Sequence, residues 1–68
     1  MADKVYKKVR LVGCSAKGVE DAVQLAVAKA ENTVHGMAWF EIIEVRGALN
    51  GDKVAEWQVT IDVGFKVD

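Results

Sequence analysis

The chain has 68 residues, one cysteine, no proline and a formal net charge of −1, and 51% of its residues are hydrophobic. This length predicts a single domain over residues 1–68, and the balanced charge argues against a nucleic-acid-binding surface, which would need concentrated basic residues. Because Cys14 and His35 are each the only residue of their type, one chain cannot form an internal disulfide or a Cys/His zinc site.

The first two predicted elements are a strand and a helix. Residues 5–12 are rich in valine and predict a strand, followed by a connecting loop over residues 13–18. Residues 19 to about 34 predict a helix whose apolar side chains recur at i, i+3, i+4 and i+7. This stripe consists of Val19, Ala22, Val23, Ala26, Ala30 and Val34. Gly18 is the predicted N-cap, and Gly36 the predicted left-handed residue after the helix.

Two longer strands complete the predicted fold. They are joined at Asn50-Gly51, a dipeptide typical of tight hairpin turns. The predicted architecture is α+β, with the order β-α-β-β and a three-stranded antiparallel sheet packed on one helix. A two-residue loop at Asn50-Gly51 would pair position 43 with 58, 41 with 60 and 39 with 62. A loop at Gly51-Asp52 would divide the side chains between the two faces in the same way, whereas a bulge would not.

This register assigns the hairpin side chains to two faces. The face away from the helix is predicted to carry Trp39, Glu41, Ile43, Val45, Glu56, Gln58, Thr60 and Asp62. The helix-covered face is predicted to carry Phe40, Ile42, Trp57, Val59 and Ile61. The first face would leave too much apolar surface in water for so small a monomer, and small domains without disulfides or metals usually need partner subunits. We therefore expect sheets of several subunits to pack through it.

Trp39 is the most informative side chain on the first face. One interpretation is an interface anchor, because tryptophan is enriched at protein interfaces. The other is a stacking platform for a flat ligand, with Gln58 supplying both a donor and an acceptor for the edge of a heterocycle. The two interpretations are compatible if the ligand lies inside the interface.

The sequence contains no recognisable catalytic constellation, so we do not predict an enzyme. The glycines of residues 12–18 lack the GxGxxG spacing of a phosphate-binding loop. No apolar run approaches the ~20 residues that span a membrane, and no signal-peptide pattern is present, which predicts a cytoplasmic protein.

Six segments, spread at matching spacing over nearly the whole chain, resemble the dodecins. They are Val5-Tyr6-Lys7, Gly18-Val19-Glu20-Asp21-Ala22, Trp39-Phe40-Glu41-Ile42, Glu44-Val45-Arg46-Gly47, Trp57-Gln58-Val59-Thr60 and Val63-Gly64-Phe65-Lys66. The resemblance implies a hollow homododecamer that binds flavins (riboflavin, FMN or FAD) at subunit interfaces. Flavin pairs would stack between symmetry-related Trp39 side chains, with Gln58 hydrogen-bonded to the ring edge.

The implied function is flavin storage and photoprotection rather than catalysis. If the ligand is FMN, Arg46 and Lys66 are the candidate contacts for its phosphate, although many relatives have an arginine where this chain has Lys66. Coenzyme A is a further ligand that the resemblance allows. Two alternatives stay open, namely a structural assembly without flavin and a flavin-dependent oxidoreductase.

Overall fold

The first strand is longer than the sequence predicts. The computed structural model of the protein describes residues 3–67, and its strand β1 extends over Tyr6–Ser15. Residues 13–15 therefore belong to the strand and not to the predicted loop. These residues continue the strand because they pair with residues 57–59 of the last strand. At Gly13 a Cβ atom would collide with the carbonyl oxygen of Ala22 and lie 3.1 Å from the Cβ of Ala26. Glycine at this position lets the helix lie directly on the strand.

Helix α1 extends over Val19–Ala30 and is shorter than predicted. Gly18 is its N-cap, as expected. The predicted end at about Val34 is wrong, because the chain leaves the helix after Ala30 through a turn in which the amides of residues 31–34 donate to carbonyls of the last helical turn. Gly36 has a φ of 75° and lies just before the next strand, where its carbonyl oxygen accepts a hydrogen bond from the backbone amide of Lys66. Its left-handed conformation thus serves the entry into the sheet.

Strands β2 and β3 form the long hairpin that the sequence predicts. β2 extends over Met37–Asn50 and β3 over Lys53–Lys66, and β3 lies between β1 and β2 with antiparallel pairing on both sides. The predicted β-α-β-β architecture is confirmed. The turn residues are Gly51-Asp52, so the predicted loop at Asn50-Gly51 is wrong by one residue and the alternative loop is correct. Gly51 has a φ of 64°. A positive φ at the first central residue is what a type II′ hairpin turn requires.

The core lies between α1 and the two strands beneath it. On the helix, Ala22, Val23, Ala26 and Ala30 are buried. On the central strand, Val59, Ile61 and Val63 are the largest fully buried side chains. Three alanines in the helix stripe keep its axis close to the sheet, as the spacing of the stripe predicted.

The register of the hairpin differs from the prediction because it is interrupted three times. Irregularities lie between Met37 and Trp39, between Ile42 and Glu44, and between Ala48 and Leu49. Near the helix the pairs are Trp39 with Gly64 and Glu41 with Asp62, whereas beyond Ile43 they include Arg46 with Gln58. The predicted pairs of 39 with 62, 41 with 60 and 43 with 58 are therefore wrong.

The bulge at Ile43 exchanges the two faces of β2. Val45 is paired with Val59 on the helix side, so its predicted place beside Trp39 is wrong. Arg46 is paired with Gln58 and lies on the face away from the helix, opposite to the face that the predicted register gives it. One extra residue in a strand reverses the direction of every side chain that follows, which accounts for both changes.

The helix leaves much of the hairpin uncovered. Phe40, Ile42 and Val45 lie on the helix side of β2, yet they are 49%, 47% and 45% exposed. The Cα radius of gyration is 14.2 Å, against about 11 Å for a compact domain of this length. Both observations favour self-association, and they extend the expected interface to the helix side of the sheet. In residues 3–67, no helix is long and apolar enough to cross a membrane.

Candidate functional site

The sheet face turned away from α1, which we call the outer face, carries most of the charged side chains of the sheet. Since Val59, Ile61 and Val63 point toward the helix, the even-numbered residues of β3 point outward together with their paired neighbours. The side chains of the outer face are Tyr6, Lys8, Arg10, Val12, Cys14, Trp39, Glu41, Glu44, Arg46, Ala48, Glu56, Gln58, Thr60, Asp62 and Lys66, and Gly64 lies among them. Trp39 and Gln58 thus share a face, as predicted, although by a different register.

Trp39 lies flat on the sheet at one end of this face. It is paired with Gly64, and a Cβ at Gly64 would lie only 2.6 Å from Cη2 of the indole and still closer to its Cε2 and Cζ2 atoms. The indole packs against the ring of Tyr6 on β1, with ring centroids 4.9 Å apart and planes inclined by 58°. The side chain nevertheless remains 41% exposed, so a large aromatic surface is open to a ligand or a second chain.

Gln58 lies in a row of hydrogen bonds at the other end of the outer face. Nε of Arg46 donates to Oε1 of Gln58 at 2.8 Å, and Nε2 of Gln58 donates to Oε2 of Glu56 at 2.8 Å. The amide therefore has a defined orientation, with its oxygen toward β2. One lone pair of the oxygen and one hydrogen of the NH2 group remain available for a further partner.

The four predicted site residues fall into two groups on one chain. Arg46 contacts Gln58 directly. Lys66 is paired with Tyr6, which in turn contacts Trp39. Gln58 lies six residues from the Gly64 position on an extended strand, or about 20 Å. Trp39 and Gln58 of the same chain are thus too far apart to hold the two sides of one small heterocycle.

A charged cluster in the middle of the outer face was missed by sequence analysis. Asp62 is buried, and its carboxylate accepts hydrogen bonds from Nε and Nη2 of Arg10 at 2.6 and 3.0 Å. Nζ of Lys8 lies 3.6 Å from Asp62 and 3.3 Å from Glu41. The hydrogen bonds from Arg10 hold the pKa of Asp62 below its ordinary value of 3.8. Only the register of three strands brings these charges together, so strand patterns alone gave no signal.

The substitution Asp62→Asn is expected to remove part of the protein's sensitivity to acid. Because the pKa of Asp62 is lowered in the folded chain, the ionised carboxylate stabilises the fold above pH 3.8, and this contribution is lost as the pH falls below that value. Below about pH 4, the melting temperature of the wild type should therefore fall more steeply than that of Asp62→Asn. Glu44→Gln, at an exposed carboxylate, is the control and should keep the wild-type slope. Equal slopes in all three proteins would contradict the role given to Asp62.

Cys14 carries the thiol of the chain and is paired with Gln58 across β1 and β3. Partial desolvation and the nearby Glu56 carboxylate raise the pKa of the thiol. The thiol is therefore held in its protonated, unreactive form at neutral pH. In the described part of the chain, residues 3–67, no three side chains of His, Cys, Asp or Glu are grouped to hold a metal ion.

Comparison with known proteins identifies the family. The pattern that defines the Dodecin family matches residues 5–68. The chain belongs to the Dodecin family. A dodecin from Thermus thermophilus is 48% identical over 65 residues, which are 96% of this chain and 94% of that protein. The solved structure of a dodecin from Streptomyces davaonensis superposes with a TM-score of 0.93 at 42% identity and covers 98% of both chains.

A more distant member of the family binds calcium. It is a calcium-chelating immunodominant antigen, calcium dodecin, from Mycobacterium tuberculosis, with a novel calcium-binding site. The solved structure is 28% identical to this dodecin and superposes with a TM-score of 0.81 over 94% of this chain and 91% of the other. A shared fold does not determine the ligand, which depends on the side chains that each protein presents.

Proposed function

We propose that this dodecin binds flavins at the interfaces of a homododecamer, and that it stores them and protects the cell from their photochemistry. The observation that carries the proposal is the indole of Trp39. This indole lies flat on a sheet, outside the core, with two-fifths of its surface exposed. Offset stacking on such a ring contributes about 0.5–1.5 kcal/mol beyond the burial of area, which suits a large planar isoalloxazine.

The site requires more than one chain. Trp39 and Gln58 are about 20 Å apart along β3 of one chain, whereas a ring stacked on the first and hydrogen-bonded to the second needs both within a few ångströms. A second copy of the chain would supply the missing group. The uncovered apolar side chains and the elongated shape of the protomer support such an arrangement.

Three polar side chains of the site match the chemistry of a flavin. The pyrimidine edge of the isoalloxazine presents an amide N–H between two carbonyl oxygens, and Gln58 retains one acceptor site and one donor for that edge. Arg46 and Lys66 are the cations for the phosphate of FMN or FAD. Coenzyme A stays a prediction from family resemblance, without residues assigned to it.

Quenching follows from the proposed contact. An electron-rich indole within van der Waals distance of an excited flavin offers a short path for electron transfer, which returns the flavin to its ground state before it reacts. Stacking flavins in pairs between two Trp39 side chains would also cover the flavin faces that a substrate would need. This arrangement favours storage over the oxidoreductase alternative.

Titration of the ligand-free protein with riboflavin, FMN and FAD tests the proposal. We expect binding with almost complete loss of flavin fluorescence, saturating at one flavin per chain, because each pair lies between two tryptophans. Tighter binding of FMN than of riboflavin at low salt would support the phosphate contacts of Arg46 and Lys66. An assembled protein that leaves flavin fluorescence unchanged would instead indicate the purely structural alternative. Steady oxidation of NAD(P)H with a dye acceptor would indicate the oxidoreductase.

A further inference from the structure

Gly64 occupies the one position of the central strand that lies directly beneath the indole of Trp39. The backbone conformation of Gly64 does not require glycine, because its φ is not positive. In residues 3–67 the glycines with positive φ are Gly18, Gly36 and Gly51. Gly64 is extended and paired on both sides, with Lys8 and with Trp39. A glycine inside a regular strand weakens the strand, and it often marks a place where another group approaches the backbone closely.

The group that approaches Gly64 is the six-membered ring of Trp39. The three atoms nearest to a Cβ built on Gly64 are Cε2, Cζ2 and Cη2, which are consecutive in that ring and at nearly equal distances. Had the ring pointed edge-on at the strand, its middle atom would be clearly the nearest. The ring therefore lies across the glycine. A residue with a Cβ at position 64 would therefore require the indole to move, because carbon atoms in contact stay about 3.5–4 Å apart.

We propose that Gly64 is a positioning residue of the flavin site. By leaving the backbone bare, it allows one face of the Trp39 indole to rest on the sheet and turns the other face outward. The ring of Tyr6 packs against the indole in a tilted arrangement, with ring centroids 4.9 Å apart, and supports this position. Any side chain at position 64 would lift or tilt the indole, and the plane on which the isoalloxazine stacks would tilt with it. This inference rests on the proposed flavin site, since Gly64 itself offers a ligand nothing to bind.

The test uses Gly64→Ala together with a matched glycine control. Gly47 lies on β2, and a Cβ there would meet its nearest neighbour, the carbonyl oxygen of Glu56, at 3.4 Å, so Gly47→Ala adds the same methyl group without moving the indole. We expect Gly64→Ala to raise the Kd for riboflavin about tenfold and to restore part of the fluorescence of the bound flavin, whereas Gly47→Ala keeps wild-type values. The residual fluorescence at saturation reports the stacking geometry, which a merely destabilised sheet would not change.

A double substitution separates the positioning role from a general need for glycine. In the Trp39→Ala background the space above position 64 is empty, so adding Gly64→Ala should lower neither the melting temperature nor the affinity any further. Equal loss of melting temperature in both backgrounds would overturn the inference, as would wild-type Kd and quenching in Gly64→Ala. If the wild type itself binds no flavin, the flavin proposal fails. In that case the melting temperatures of the wild type, the two single variants and the double variant still show whether Gly64 allows the indole to lie on the sheet.

Discussion

Replacing Trp39 with alanine is expected to weaken flavin binding roughly five- to 150-fold, since the stacking of a planar base on an aromatic side chain contributes about 1–3 kcal/mol by alanine substitution. The fluorescence of the flavin that still binds should return toward the value of free flavin, because the electron donor is gone. The fold should survive, since the indole lies outside the core formed by α1 and the sheet. Both effects are measured in one titration of riboflavin fluorescence.

The second tryptophan of the chain provides the control for this experiment. Trp57 is paired with Ser15 and Gly47 on the opposite face of the sheet. Trp57→Phe removes an indole from the protein without touching the outer face, so it should keep both the affinity and the quenching of the wild type. If Trp39→Ala binds riboflavin as tightly as Trp57→Phe does, the stacking platform is excluded and Trp39 is only an interface anchor.

Introducing a charge at Ile42 is expected to dissociate the assembly. Phe40 and Ile42, with Val19 and Val23 of the helix, line an open groove of about 270 Å³ between α1 and β2. In the proposed homododecamer a second chain covers this groove, and an unpaired carboxylate buried there would cost several kcal/mol at each copy of the interface. Ile42→Glu should therefore appear at a fraction of the wild-type mass in multi-angle light scattering.

The matched control adds the same charge outside the groove between α1 and β2. Asn32 is exposed in the turn after α1, and Asn32→Glu should keep the mass of the wild type. Circular dichroism of the dissociated Ile42→Glu protein distinguishes a folded protomer from an unfolded chain, and either result agrees with an interface at this groove. A wild-type mass for Ile42→Glu would mean that the groove faces solvent in the assembly.

Sequence patterns predicted the order of elements correctly but located the functional groups only in part. The alanine stripe of α1, the alternation along β3 and the hairpin turn are local signals, and each specifies one element. The bulge at Ile43 was missed, although Ile42-Ile43 places two apolar residues side by side where the alternation of β2 changes phase. A bulge at this position places Arg46, and not Val45, on the same face as Gln58.

Other features could not be predicted from the sequence because they depend on contacts between distant parts of the chain. Gly13 reads as the start of a loop until the helix is placed above it, and Gly64 reads as an ordinary weak point of a strand until the indole of Trp39 is placed across it. Asp62 and Arg10 are 52 positions apart in the chain and meet only because β1 and β3 are paired. The sequence identifies these residue types, whereas the register decides their partners.

The row of hydrogen bonds through Gln58 has a consequence for selectivity. A free glutamine amide can rotate to offer either its oxygen or its nitrogen, so it recognises many ligands and must be ordered when one binds. Arg46 and Glu56 remove that freedom, because the first can only donate and the second, when ionised, can only accept. In the proposed site a heterocycle would thus meet an acceptor and a donor in a fixed sequence. Rings that present the reverse sequence would be rejected, and matching rings would bind with a smaller loss of entropy.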